Sequence, residues 1–146
     1  MIRTYVLGAA NGLARMFWYR YDWNTISPAQ GGGTLGNTLL SVPGAPAQIT
    51  PAGEAFATAQ QWLHGRLVGV DGQAPCTQDR RGTYTCVVRY AGGRLTILWN
   101  PLHHVRVAMP RGAETVQTSA GSAARDLARA SSLRVSYLPV MVVSPR

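Results

Sequence analysis

Residues 83–99, TYTCVVRYAGGRLTILW, set the architecture of the C-terminal half of the chain. β-Branched and aromatic residues recur on both sides of Ala91-Gly92-Gly93, which is typical of two strands joined by a glycine-containing turn. We therefore predict a β-hairpin with one strand over Thr83 to Tyr90 and the other over Leu95 to Trp99.

Short strand-like segments continue beyond this hairpin. The connection from Gly112 to Ser132 is rich in small residues, and the sequence leaves its structure open. About five short strands with turns between them are typical of a small antiparallel sheet or sandwich, which we assign to residues 68–146. The further predicted strands are His104 to Met109, Leu133 to Tyr137 and Val140 to Val143.

The chain has two cysteines, Cys76 and Cys86. Their separation does not match the close C-x-x-C pairing of zinc and redox motifs. We predict a disulfide at the entry to the sheet, worth about 3 kcal/mol in an oxidising compartment. Two buried free thiols are the alternative.

The N-terminal half has a different pattern, in which helical spacing precedes an aromatic run. Met16 to Trp23 reads MFWYRYDW and contains no strand breaker, so we predict a strand that is apolar on both faces. Such strands belong mainly to parallel sheets with helical crossovers, which indicates the end of an α/β repeat. The preceding helix has its predicted apolar face at Ile2, Tyr5, Val6, Ala9 and Leu13.

A long segment rich in glycine and proline, Asn24 to Ile49, leads to a second predicted helix. Thr50-Pro51 fits an N-cap followed by a first-turn proline, and Glu54 lies near the positive end of the helix dipole. We expect this helix to end near Gly65. Its apolar face is predicted at Phe56, Ala59, Leu63 and Leu67, with Trp62 at the edge of that face.

This order of elements resembles the C-terminal part of clan A glycoside hydrolases, particularly β-xylosidase, α-L-iduronidase and bacterial cellulase-like relatives. In that family the last barrel strand has an aromatic W-Y-x-W/Y-D pattern, which residues 18–23 match. A T-P-A-G-x-A-[FY] helix start with a W-L pair follows, matched by residues 50–56 and 62–63. A β domain with a C-x(n)-[YW]-T-C segment comes next, matched by Cys76 and Tyr84-Thr85-Cys86, and an apolar strand here ends in Trp99-Asn100.

The resemblance implies a TIM-barrel parent whose retaining chemistry needs two Glu residues about 5 Å apart. In the family these carboxylates lie at the ends of the fourth and seventh strands, which would precede Met1. The glutamates present are Glu54, in a helix start, and Glu114, in the small-residue connection. We therefore predict no catalytic residue here and leave open whether the chain is an enzyme, because its parent resembles a hydrolase.

The resemblance also implies a substrate site at the end of the aromatic strand, because barrel active sites lie at the C-terminal ends of the strands. Trp23 is the predicted sugar-stacking platform, and Tyr21 or Asp22 would donate or accept a hydrogen bond with a sugar hydroxyl. The alternative is that the aromatic residues of this strand pack between barrel and helix. Arg20 and Asp22 could also form an ion pair on the strand.

Composition excludes several other classes. The net charge is +8, and the chain has 14 arginines and no lysine. The arginines are scattered along the chain, and this amino-acid usage is typical of a protein encoded by a GC-rich bacterial genome. No nucleic-acid partner is therefore expected. No apolar run reaches the roughly 20 residues of a membrane span, and no signal peptide is evident. His103-His104 lacks further ligands at metal spacing, and Gly31-Gly32-Gly33 lacks the Lys-Ser/Thr of a P-loop, so no metal or cofactor is predicted.

The prediction is thus an α+β chain. Residues 1–67 would form the last helix, strand and helix of a TIM barrel, and residues 68–146 would form a β-sandwich-like accessory domain. Its function would be that of a C-terminal glycoside hydrolase fragment, whose partner is a carbohydrate bound through the parent barrel. Association through exposed barrel-facing surface is expected for the isolated chain. A disulfide would favour a secreted or periplasmic parent. The alternative is an autonomous carbohydrate- or protein-binding β module.

Overall fold

A computed structural model describes residues 1–13, 15–18, 40–41, 48–64, 66–67, 75–119, 125–127 and 130–146. These residues form two helices and eleven strands. The helices are α1 (Ile2–Ala10) and α2 (Pro51–Trp62). The strands are β1 (Leu40–Ser41), β2 (Gln48–Ile49), β3 (Arg66–Leu67), β4 (Cys76–Gln78), β5 (Tyr84–Tyr90), β6 (Gly93–Trp99), β7 (Val105–Ala108), β8 (Thr115–Thr118), β9 (Arg125–Asp126), β10 (Ser132–Val135) and β11 (Val140–Pro145).

The predicted hairpin is confirmed as β5 and β6, at the centre of the main sheet. Its register runs from Tyr84 opposite Trp99 to Tyr90 opposite Gly93, which leaves a two-residue loop. Gly93 has a φ of 146°, and a Cβ at this position would collide with the Ser144 carbonyl oxygen of β11. Only glycine fits there, because the neighbouring strand passes too close for a side chain.

The main sheet has seven antiparallel strands, in the order β3-β5-β6-β11-β8-β9, with β4 also paired to β5. β7 and β10 form a separate two-stranded ribbon, and β1 pairs with β2. The strands predicted after the hairpin correspond to β7, β10 and β11. The sequence did not predict β1, β2, β3, β4, β8 or β9, and β8 and β9 lie in the connection whose structure it left open.

Residue alternation along the strands gives the sheet two apolar faces. Cys86, Val88, Ile97 and Trp99 form one cluster with Ile2 and Val6 of α1 and Ala59 and Trp62 of α2. Leu98, Val116, Val140 and Val142 form a second cluster with Leu133 and Val135 of the ribbon. The described residues therefore form three layers, with the helices on one face of the sheet and the ribbon on the other.

α2 begins as predicted. The Thr50 side-chain hydroxyl accepts a 3.0 Å hydrogen bond from the Gly53 backbone N–H, and Pro51 occupies the first turn. Three details of the prediction were wrong. The helix ends at Trp62 rather than near residue 65, and Leu67 lies in β3 rather than on the helical face. Trp62 is a central core residue, 1% exposed, rather than an edge residue.

α1 is confirmed as a helix, but its buried face is shorter than predicted. Ile2 and Val6 are buried, whereas Ala9 and Leu13 are exposed. The helix ends in a Schellman turn, in which Gly12 has a φ of 78° and the Leu13 N–H donates to the Gly8 carbonyl. Leu13 therefore leaves the helix before its side chain could join the helical face.

The barrel part of the fold prediction is not confirmed. Residues 15–18, at the start of the predicted strand, have no regular secondary structure, and residues 19–23 lie outside the described part. The described sheet is antiparallel throughout. The structure thus confirms the predicted α+β class, as a mixed α+β fold with a small antiparallel sheet.

The predicted disulfide between Cys76 and Cys86 is confirmed. The two residues lie directly opposite each other on β4 and β5, and Cys86 is fully buried in the cluster beneath the helices. The bond thereby attaches a three-residue edge strand to the core.

Breaking this disulfide should lower the free energy of unfolding by about 3 kcal/mol, because the unfolded chain regains the entropy of an open loop. The test is urea unfolding of the wild-type protein and of the Cys76→Ala, Cys86→Ala double variant, each with and without dithiothreitol. The reductant should destabilise the wild-type protein and leave the double variant unchanged. Equal stability of all four samples would contradict the prediction.

Candidate functional site

The residues predicted to bind sugar, Trp23, Tyr21 and Asp22, lie outside the described residues. Their contacts are therefore not part of the geometry below. The described segment that leads to them, residues 15–18, follows α1 and lies beside it. The site is therefore built from α1, this segment and the strand ends next to it.

A groove of about 560 Å³ lies between α1 and the ends of β5 and β6. Leu7 and Gly8 of α1 form one wall, and Tyr84 and Trp99 of the hairpin form the other. Leu13, Met16 and Pro101 complete its lining, so most of the groove surface is apolar. A concave apolar surface with a few polar groups at its rim is typical of small-molecule sites.

Two stacked aromatic rings form the hairpin wall of this groove. Tyr84 and Trp99 are directly opposite each other in the hairpin, and their ring centroids are 4.8 Å apart with nearly parallel planes. Trp99 is 1% exposed, whereas Tyr84 is half-buried and is the ring accessible from the groove. Trp99 therefore fixes the orientation of the Tyr84 ring.

The Met16 side chain, in the segment after α1, packs against Gly8 of the helix. A Cβ on Gly8 would collide with the Met16 sulfur, so this glycine permits the close approach of Met16. Leu13 and Phe17 are left 58% and 89% exposed on the same segment. A short apolar surface therefore lies next to the groove.

Arg3, Thr4 and Asn11 supply polar groups to the groove lining. The Asn11 amide donates to the Leu7 carbonyl at 2.8 Å, which fixes it at the end of α1. The groove therefore combines aromatic and aliphatic surface with guanidinium, hydroxyl and amide groups that can form hydrogen bonds. Sequence reasoning used Tyr84 and Trp99 only as landmarks. Their opposed positions in the predicted hairpin could have indicated the pair.

Asn100 lies in the chain between the groove-lining residues Trp99 and Pro101, and it is a buried amide with all its side-chain polar groups engaged. Its Nδ2 donates to the Arg81 carbonyl at 2.8 Å and to the Thr83 hydroxyl at 3.3 Å. Its Oδ1 accepts from the backbone N–H groups of Leu102 and His103 at 3.0 and 2.9 Å. One side chain thus joins the turn before β5 to the loop after β6.

That turn is also fixed by Asp79. Its carboxylate accepts hydrogen bonds from the backbone N–H groups of Arg81 and Thr83 at 2.9 and 2.8 Å, and Gly82 has a φ of 80°. This arrangement is an Asx-type turn closed by a glycine. The carboxylate is therefore engaged in holding the chain.

Neither glutamate lies in the groove lining. Glu54 is exposed in the first turn of α2, and Glu114 is exposed beside β8, where its backbone N–H donates to the Val143 carbonyl. His103 and His104 are exposed in the loop after β6. Among the described residues, no group of three or more His, Cys, Asp or Glu side chains could hold a metal ion.

Tyr5 of α1 lies at the contact between the two helices. Its ring packs edge-on against Phe56 of α2 at 5.5 Å, and burial raises the pKa of its hydroxyl above the ordinary value. That hydroxyl is buried and has no hydrogen-bond partner within the described ranges. The contact joins α1 to α2 on the helical face.

No helix in the described part of the chain is both long and apolar enough to cross a bilayer. The site consists of an aromatic groove and an exposed apolar segment, and the chain next to the groove is anchored by Asn100. Comparison of the chain with models of known families, with curated proteins and with solved structures finds no match.

Proposed function

We propose that this chain is the non-catalytic C-terminal part of a glycoside hydrolase resembling those of clan A. In this proposal the antiparallel sheet supports the two helices that bracket the aromatic segment. The segment in turn contributes Trp23, Tyr21 and Asp22 to the sugar-binding cleft of the parent barrel.

The observation that carries the proposal is the position of α1 and α2. Both helices bury one face on the same side of the sheet, through Val6 of α1 and Ala59 and Trp62 of α2. The aromatic segment belongs to the stretch of chain that connects these two helices. A supporting module that fixes the last elements of a barrel needs this kind of attachment.

Two further observations support the proposal. The T-P-A-G motif of the resemblance lies at a true helix start, because Thr50 caps α2. The C-x(n)-Y-T-C motif lies at a true disulfide between Cys76 and Cys86. Disulfides persist in oxidising compartments, which agrees with a secreted or periplasmic parent.

The exposed apolar segment gives the proposal a test on the isolated chain. Leu13 and Phe17 would be covered by the parent barrel, so the chain alone should associate through them. We expect light scattering coupled to size-exclusion chromatography to show oligomers. The Leu13→Ser, Phe17→Ser double variant should shift the chain to a monomer.

A matched control is the Tyr137→Ser, Leu138→Ser double variant, which removes two exposed apolar side chains from the loop before β11. It should leave the oligomers unchanged. A wild-type monomer with one cooperative thermal transition would argue against the fragment. A loss of oligomers in both double variants would mean that the chain associates nonspecifically through exposed apolar side chains, which would argue against a specific barrel-facing surface.

The second experiment examines the DNA upstream of the Met1 codon. The proposal predicts an open frame that encodes alternating strands and helices with two glutamates at strand ends. The protein from that longer frame should hydrolyse aryl glycosides, whereas the 146-residue chain should not. In the longer protein, Trp23→Ala should lower kcat/KM at least about tenfold if this ring stacks on the substrate. An in-frame stop codon immediately upstream of the Met1 codon would contradict the proposal.

A second candidate function is an autonomous carbohydrate-binding module, favoured by the groove beside Tyr84. The two apolar clusters on the faces of the sheet would serve as its core. It predicts a monomer whose tryptophan fluorescence changes on titration with neutral oligosaccharides. Tyr84→Ala should abolish that response, and Tyr137→Ala should preserve it.

A further inference from the structure

A row of polar residues crosses the centre of the main sheet at the end far from the groove. Arg89 of β5 lies directly opposite Arg94 of β6, and Arg94 lies directly opposite Ser144 of β11. Like charges placed directly opposite each other in a sheet destabilise it. The facing charges of Arg89 and Arg94 therefore lower the stability of the unliganded protein.

These residues form one wall of a pocket of about 300 Å³. Arg111, from the turn before β8, and Arg146, after β11, also line it. The Arg94 guanidinium donates to the Arg111 carbonyl at 2.7 Å, which fixes its orientation and leaves its other N–H donors available. Four arginines thus line this pocket, and no Asp or Glu side chain is among the described residues that line it.

Ser144 gives a second and independent indication of a ligand. It is 4% exposed and lies in the pocket wall. Its buried hydroxyl has no hydrogen-bond partner within the described ranges. Buried hydroxyls are normally satisfied, so an unpartnered one beside several guanidinium groups suggests a missing acceptor.

We propose that this pocket binds the oxyanion group of a small molecule, held by Arg89, Arg94 and Arg111 and by the Ser144 hydroxyl. Guanidinium groups bind phosphate, sulfate and carboxylate oxygens through paired N–H donors. A bound oxyanion would supply the acceptor that Ser144 lacks and would offset the repulsion between Arg89 and Arg94. The proposal is independent of the glycoside hydrolase assignment.

The test is isothermal titration calorimetry and thermal unfolding of the full chain, tagged at the N-terminus because Arg146 lines the pocket. The probes are sodium phosphate, sodium sulfate and sodium glucuronate, each compared with sodium chloride at equal ionic strength. At least one oxyanion should bind with one site per chain and raise the Tm, whereas chloride should not. The probe that binds most tightly distinguishes a tetrahedral oxyanion from a carboxylate.

The chain offers a matched control in the ribbon, where Arg106 and Arg134 are also directly opposite each other. Arg94→Gln should weaken oxyanion binding about tenfold or more, whereas Arg106→Gln should change it less than about twofold. Ser144→Ala should weaken binding severalfold while leaving the unliganded protein at least as stable as wild type, because the variant removes an unsatisfied hydroxyl.

Three results would overturn the proposal. The first is the absence of saturable binding by every oxyanion at equal ionic strength. The second is equal weakening by Arg94→Gln and Arg106→Gln, which would indicate a general counterion effect. The third is unchanged binding in Ser144→Ala together with unchanged binding in Arg94→Gln.

Discussion

Trp62→Ala should lower the free energy of unfolding by about 4 kcal/mol, because it empties the centre of the cluster between α2 and the sheet. Trp62 is 1% exposed and packs in the same cluster as Ile97, Trp99 and Val6. Its Nε1 also donates to the Gln117 side-chain oxygen of β8 at 3.0 Å. Urea unfolding followed by far-UV circular dichroism measures the loss without depending on tryptophan emission.

Smaller substitutions separate the stability lost through the cavity from the stability lost with the hydrogen bond. Trp62→Phe keeps much of the volume but leaves the Gln117 oxygen without its donor, so we expect a loss of about 2 kcal/mol. Adding Gln117→Leu should recover part of that loss, because both polar partners are then removed. A loss below about 1 kcal/mol for Trp62→Ala would mean that α2 does not depend on the sheet.

Asn100→Asp should destabilise the protein by about 4 kcal/mol at neutral pH, since it buries a carboxylate against a carbonyl oxygen. Asn100 is fully buried, and its Nδ2 donates to the Arg81 carbonyl. The substituted oxygen cannot donate there unless it is protonated. Burial and the facing carbonyl should therefore raise the pKa of the new carboxyl in the folded protein.

The pH dependence follows from that raised pKa. The deficit relative to wild type should be smallest below about pH 4, where the carboxyl is protonated in both the folded and the unfolded chain. It should grow as the pH rises and level off above the folded pKa. Urea midpoints between pH 3 and pH 8 measure it.

Two controls accompany the Asn100 experiment. Asn100→Ala carries no titrating group, so its deficit should be the same at each pH. Asn11→Asp makes the same substitution at an exposed amide that also donates to a carbonyl, and it should cost less than about 1 kcal/mol. A deficit for Asn100→Asp that does not vary with pH would contradict the assignment of a buried titrating group.

Local sequence signals predicted much of the described fold. The hairpin around Ala91-Gly92, the cap of α2 at Thr50 and the Cys76–Cys86 disulfide depend on residues close together in the chain. Each signal has a local physical cause, such as a turn, a cap or a short loop. Such causes can be recognised without knowledge of the tertiary fold.

The elements that the sequence did not reveal depend on distant partners. β8 has one buried residue, Val116, and its position is fixed by pairing with β11 and β9. The central position of Trp62 depends on where the sheet contacts α2, which helical spacing alone does not specify. Tertiary contacts outweigh weak local preference in both cases.

The candidate sites also differ in how far they could be predicted from residues close together in the chain. The predicted sugar-binding residues remain predictions, because Trp23, Tyr21 and Asp22 lie outside the described residues. The scatter of arginines along the chain argued against a basic cluster. The fold nevertheless brings Arg89, Arg94, Arg111 and Arg146 to one pocket, because β5, β6 and β11 are neighbours.

Pairing along β5 has a consequence for aggregation. β4 pairs with Tyr84, Thr85 and Cys86, and β3 pairs with Val88 and Arg89, so two short strands together cover its outer edge. At the opposite edge lies β9, which consists of Arg125 and Asp126. Short and charged margins discourage the addition of a foreign strand, which is how many β proteins avoid amyloid-like stacking and strand exchange. Reduction of the disulfide would leave β4 attached to β5 by strand pairing alone, so the bond helps to keep this edge of the hairpin covered.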